Sequence, residues 1–145
     1  MAAVYRFWVS LMALAVVVQI GLAGVGAFHA ANKLEDDKDT LTGKSFGSWF
    51  DPHVALGYLI FLSTIVLLLI SLIGYRRRWK RSLLIVGLVV AQVLLAWLGD
   101  GIPALGFLHP INALLIAAVL GRTAYEEWRP AAETTTAVPA TSPAV

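Results

Sequence analysis

The sequence predicts an all-α integral membrane four-helix bundle, made of two repeated helical hairpins with both termini cytoplasmic. Three features predict it: an apolar composition, four uncharged stretches of membrane-crossing length, and an uneven placement of lysine and arginine. Of 145 residues, 59% are hydrophobic and only 14% are charged, and the mean hydropathy is +0.77. A water-soluble domain of this length needs more polar surface than that. The chain has no cysteine, which removes disulfides and thiolate metal ligands from consideration.

The first span is "FWVSLMALAVVVQIGLAGVGAF", 22 residues between Arg6 and His29 without a charge. The second runs from His53 to Tyr75 and stops at "RRRWKR", residues 76–81. The third and fourth lie between Ser82 and Gly99 and between Ile102 and Gly121. About 20 helical residues cross a hydrocarbon core, and backbone groups in lipid must bond within their own segment. The spans therefore fall at about residues 6–29, 53–75, 82–99 and 103–122, inside one transmembrane domain of residues 1–129. The first span could instead be a cleaved signal with "VGA" at residues 25–27 as its site, but its apolar run exceeds the usual 7–15 residues of a signal core.

Orientation follows from the cations. Arg76, Arg77, Arg78, Lys80 and Arg81 lie between spans two and three, and Arg6, Arg122 and Arg129 fall on the same side. The connection of residues 30–52 carries three lysines against five acids. The positive-inside rule puts "RRRWKR" and both termini in the cytoplasm of a bacterial plasma membrane, and His29, His53 and His109 toward the outer face. Trp8, Trp49, Trp79, Trp97 and Trp128 fall near span ends, as interfacial tryptophans do. The tail "PAAETTTAVPATSPAV" from Pro130 is rich in Pro, Thr and Ala and reads as disordered and cytoplasmic.

Within this frame a short pattern recurs. "VVVQIGLAG" (residues 16–24) matches "VVAQVLLAW" (residues 89–97), with Gln19 and Gln92 in register. After each, the chain leaves the membrane and re-enters at a His/Pro cluster: "FDPHVALGYLI" after the first, "FLHPINALLI" after the second. Two hairpins of like orientation would be related by a pseudo-twofold axis along the membrane normal. His53 and His109 would then be equivalent.

A histidine at the edge of a span is costly without a partner and suggests a function. Two equivalent imidazoles facing one axis suit a haem b, whose iron takes axial imidazoles from both sides. Small residues one turn away, Gly57 and Ala113, would leave room for the macrocycle, and Asn112 could orient His109. Gln19 and Gln92 read as hydrogen-bonding links between helices, with a quinone contact as the sharper alternative.

Histidines opening the second and fourth helices, followed by Leu/Ala-rich helix as in "LHPINALLIAAVL", resemble one half of haem A synthase. That resemblance implies a four-helix haem-binding unit with His53 and His109 as axial ligands. The family's glutamate before the second-helix histidine and its arginine after it have no counterpart among Trp49, Phe50, Asp51 and Val54, so haem A synthesis is not implied. The whole chain also resembles a family of small four-span membrane proteins of high-GC bacteria whose function is uncharacterised.

The leading functional expectation is a b-type haem protein with an electron-transfer role, the haem lying between the second and fourth helices and quinol or another membrane redox protein as partner. One alternative is a cofactor-free accessory or structural subunit of a larger complex, in a homo- or hetero-oligomer. Another is an outer-facing divalent-metal site using His29, His53 and Asp51. The bland reading makes Pro52 the first helical residue behind an Asp51 N-cap, with His53 merely interfacial. It also makes Pro110 a kink whose freed carbonyl bonds to His109. Asp100 between Gly99 and Gly101 reads as a tight outer turn. No nucleophile–base set and no phosphate loop is present, so no catalytic residue and no enzyme class is assigned. "RRRWKR" reads as a topology signal that attracts anionic lipid, not as a nucleic-acid site.

Depth raises a difficulty for one shared ligand. His53 lies 23 residues from Arg76, about 35 Å of helix, while His109 lies 13 residues from Arg122, about 20 Å. If both arginines mark one interface, the rings are offset by about 15 Å. Snorkelling of Arg122, with Glu126, Glu127 and Trp128 as the true boundary, would remove part of this.

Overall fold

The computed structural model describes residues 1–34 and 43–129. The proposed tail and the acidic centre of the first connection lie outside those residues. Four α-helices account for nearly all the described chain: α1 (Ala2–Leu34), α2 (Gly43–Gly74), α3 (Trp79–Gly101) and α4 (Pro103–Trp128). A single 3-10 turn, Arg76–Arg78, joins α2 to α3. All four helices are long and apolar enough to cross a membrane. The start of α1 and the end of α4 meet at the basic end, where Met1 packs on Gly74 and Trp128 bonds to Ser10.

The helices pack as a square. α1 touches α2 and α4, α3 touches α2 and α4, and α2 and α4 face each other across the diagonal. The core is a narrow seam of Val9, Met12, Val16, Ile60, Leu67, Ile85, Val89, Ile116 and Leu120. Most other large apolar side chains, such as Phe7, Leu11, Leu62 and Ile73, point outward, as lipid-facing residues do. Lipid offers no hydrophobic drive between helices, so small and polar groups carry the contacts. Thr64, Ser71 and Thr123 are fully buried and donate to carbonyls of their own helices. Buried Tyr5 hydrogen-bonds to Ser82 across the bundle at 3.2 Å.

Three local expectations are corrected. Pro52 does not start a helix. α2 begins nine residues earlier, at Gly43, and Pro52 lies inside it, so Asp51 is no N-cap. The stretch at Gly99, Asp100 and Gly101 is helical, and the turn is the single extended residue Ile102 (φ −132°, ψ 92°) before Pro103 starts α4. Gly99 serves packing instead: a Cβ there would stand 2.7 Å from the Gly106 Cα, so α3 and α4 touch backbone to backbone. Finally, α4 runs on past Arg122 to Trp128.

Candidate functional site: a paired-histidine centre

His53 on α2 and His109 on α4 come together across the diagonal, with ring centroids 6.3 Å apart and planes inclined at 57°. Both rings are half-buried. Each is fixed in the same way. His53 Nδ1 lies 3.0 Å from the Gln19 carbonyl oxygen, and His109 Nδ1 lies 3.1 Å from the Gln92 carbonyl oxygen. A carbonyl oxygen only accepts, so in both rings Nδ1 carries the proton and donates it. In a neutral ring that leaves Nε2 with a free lone pair. Among the described residues, neither Nε2 has a hydrogen-bond partner. A histidine whose one nitrogen is tied to a carbonyl while the other is free has the arrangement of a metal-ligating imidazole.

The helix positions explain the anchors. Gln19 on α1 and Gln92 on α3 each sit beside the histidine of the following helix. The Gln19 amide also returns a bond, Nε2 donating to the His53 carbonyl at 2.7 Å. In the second helix pair the side chains bond differently. Asn112 Nδ2 donates to Gln92 Oε1 at 2.7 Å and to the Leu88 carbonyl at 2.9 Å. Asn112 thus supports Gln92, whose carbonyl holds His109. Gly57 lies one turn after His53, and a Cβ there would come within 3.1 Å of Gln19 Nε2. Its missing side chain makes room for the glutamine that clasps His53. Ala113 is half-buried one turn after His109.

The expected depth offset is much reduced. The residue of α4 level with the end of α2 is Glu127, not Arg122, because Tyr75 Oη donates to Glu127 Oε2 at 2.9 Å. Arg122 is an exposed side chain paired to Glu126 one turn on. Measured to Tyr75 and Glu127, the two histidines differ by four residues, about 6 Å, which helix tilt absorbs.

His29 does not join the pair; its exposed ring packs edge-on against Trp49, 4.6 Å between centroids. Among the described residues no three His, Asp or Glu side chains converge on a point where they could hold a metal ion.

A second polar cluster closes the opposite end of the bundle. Buried Glu127 accepts from Arg78 Nε at 2.5 Å as well as from Tyr75. Glu126 accepts from Arg78 and Arg122, each at 2.9 Å. These bonds tie the α2–α3 connection to the end of α4. Sequence reasoning read the arginines as a topology signal and overlooked this pairing. Gln19 and Gln92 do link helices through their side chains, as expected, but the hold of their backbone carbonyls on the histidines is not legible in the sequence. Their carbonyls face the histidines over separations of 34 and 17 residues, and that inequality hides the common pattern.

Comparison of the chain with protein-family models, with curated proteins and with solved structures gives no match.

Proposed function

We propose that this chain is a b-type haem-binding protein of the bacterial plasma membrane, with His53 and His109 as axial ligands and an electron-transfer role. The observation that carries the reading is the spacing of two identically anchored rings. Metal–imidazole nitrogen bonds are about 2 Å long, so two imidazoles sharing one ion through Nε2 from opposite sides have ring centres about 6 Å apart. The 6.3 Å separation agrees. Two side chains alone are too few ligands for a structural zinc site, and no third His, Asp or Glu joins them among the described residues. A metal held by two imidazoles must bring its remaining ligands, and a porphyrin brings four nitrogens.

When bound, the haem would supply a one-electron ferric–ferrous couple. The protein's own contribution is in the anchors. The Gln19 and Gln92 carbonyls fix the tautomer and orientation of both rings, which leaves each Nε2 free as a ligand. Gly57 makes room for Gln19 beside His53, and Ala113 keeps the adjoining turn of α4 slim. With both axial positions taken by histidine, electron transfer fits better than oxygen chemistry, and quinol or another membrane redox protein is the fitting partner. The like anchoring of His53 and His109 also supports the reading of α1–α2 and α3–α4 as two copies of one hairpin. The excess of cations near Arg78 supports a cytoplasmic placement of that end and of both termini.

The test is the absorption spectrum of detergent-purified protein expressed with added haem precursor, oxidised and then reduced with dithionite. A sharp reduced band of low-spin haem b, lost in His53→Ala and in His109→Ala, is the expected outcome. Colourless wild-type protein, or a band that survives both substitutions, would sink the reading and favour the cofactor-free accessory subunit.

A further inference from the structure

At the basic end of the bundle one arginine stands apart. Among the described residues that end holds two acids, Glu126 and Glu127, and both are engaged by Arg78, with Arg122 on Glu126 and Arg77 and Arg81 within 4 Å of one or other. Arg6 on α1 has no ion pair and no side-chain hydrogen bond among the described residues. Its guanidinium lies over the Trp128 ring, 4.8 Å from the centroid, and its Nε is buried without an acceptor. The other unpaired cations of this end are solvent-facing. Arg76 and Lys80 are exposed, and water can complete their hydrogen bonding. Arg6 is half-buried, and an unsatisfied charged donor in that position is costly.

The surroundings hold this arginine in place. Trp128 Nε1 donates to Ser10 Oγ at 2.9 Å, and Ser10 Oγ donates to the Arg6 carbonyl at 2.9 Å. Phe7 packs edge-on against the same tryptophan, 5.3 Å between centroids. The α1–α4 seam thus fixes the arginine beside an interfacial tryptophan, where phospholipid headgroups lie. Phe7 also lines an open apolar groove of about 500 Å³ with Ala3, Val4, Trp8 and Leu11. A planar guanidinium with a vacant acceptor requirement matches a phosphate's oxygens, and an adjoining apolar groove matches an acyl chain. Among the described residues no acid is left to compete for Arg6, and the surplus of cations at this end favours an anion.

We propose that Arg6, backed by Trp128 and flanked by the Phe7–Leu11 groove, is a binding site for an anionic phospholipid, the phosphate on the guanidinium and one acyl chain along α1. The phosphate bonds to the outer guanidinium nitrogens, which unlike Nε are not enclosed by the protein, and the lipid fastens the start of α1 to the end of α4. This site is independent of the histidine pair.

Native mass spectrometry of the full chain, released from nanodiscs of equal phosphatidylglycerol and phosphatidylcholine, tests it. Wild-type protein should retain phosphatidylglycerol in preference to phosphatidylcholine. Arg6→Gln should reduce that retention at least about tenfold, the loss expected for hydrogen bonds to a charged group. Arg76→Gln, a change at an exposed cation of the same end, should leave it unchanged. Should Arg6→Gln fail to fold, by its melting temperature in lipid-free detergent, Arg6→Lys decides instead: the charge stays, the fork is lost, and retention should fall severalfold. Equal retention of the two lipids by the wild type would overturn the proposal. So would undiminished retention in Arg6→Gln and Arg6→Lys, or displacement of the lipid by millimolar inorganic phosphate alone.

Discussion

The two helix pairs solve the same problem with different side chains. In α1–α2, Gln19 holds His53 twice, its carbonyl accepting from the ring and its amide donating to the His53 backbone. In α3–α4, Gln92 holds His109 by the carbonyl alone, and its side-chain oxygen accepts from Asn112. What the pairs share is a backbone anchor; what they do not share is its buttress. The cost falls on the first pair, where Gln19 Oε1 is buried with no partner. The corresponding oxygen of Gln92 is satisfied. The position that carries Asn112 in the second pair, three residues after the histidine, is Leu56 in the first. A backbone carbonyl is available from any residue, so the anchor can be kept while side-chain support drifts.

The largest effect should come from the histidines. If the two pairs are equivalent at the ligand, His53→Ala and His109→Ala should each abolish the low-spin haem band, and to the same degree. A variant keeping half or more of its haem would show that one pair dominates. Next comes Gly57→Val. The new side chain drives into Gln19 Nε2 and should lower stability by about 1–3 kcal/mol, the usual cost of overpacking. Thermal unfolding in detergent reads this out, and an unchanged midpoint would mean that Gln19 is free to move away. Asn112→Leu removes the donor to Gln92 Oε1. The expected loss is about 0.6–2 kcal/mol, the range for polar links between membrane helices; if haem is bound as proposed, its reduction potential should shift as well, through Gln92 and His109. A variant with wild-type midpoint and potential would dismiss Asn112 as a buttress. The smallest effect should be a gain. Leu56→Asn offers Gln19 Oε1 the donor that Asn112 gives its counterpart, so it should melt above Leu56→Ala by a margin of about 1 kcal/mol or less. Identical melting of the two would break the comparison at that position.

Much of this organisation is readable before any coordinates. The four helices follow from uncharged runs separated by charges, since nothing else satisfies a backbone in lipid. His53 and His109 stand out because titratable rings at the edge of a span are rare, and Gln19 and Gln92 stand out as polar residues in register within apolar runs. The failures all lie at helix ends, where charges, a capping pattern and glycines each suggest a boundary that the helices run through. Asp51-Pro52 looks like a helix start, yet Gly43 is the start, because a proline inside a helix removes one hydrogen bond without ending the helix when its neighbours hold it. Arg122 looks like an interface marker, yet it is an exposed chain reaching Glu126, since a long flexible cation can span a turn or more to reach its partner. Most of the 15 Å offset comes from taking Arg122 as the interface marker, and about 6 Å is left to helix tilt.

The number of helices, their apolar character and the charge asymmetry between the two ends are all legible in the sequence. These depend on local composition and on the solvent each residue must face. Only the tertiary structure decided that α2 and α4 stand on the diagonal, that the two rings come within 6.3 Å, and that backbone carbonyls of α1 and α3 hold them. It also decided that Arg78, rather than Arg6, takes the available glutamates. Such pairings rest on the relative depth and rotation of helices, set by close contacts such as Gly99 on Gly106. A contact of that kind joins residues far enough apart that no local pattern records it.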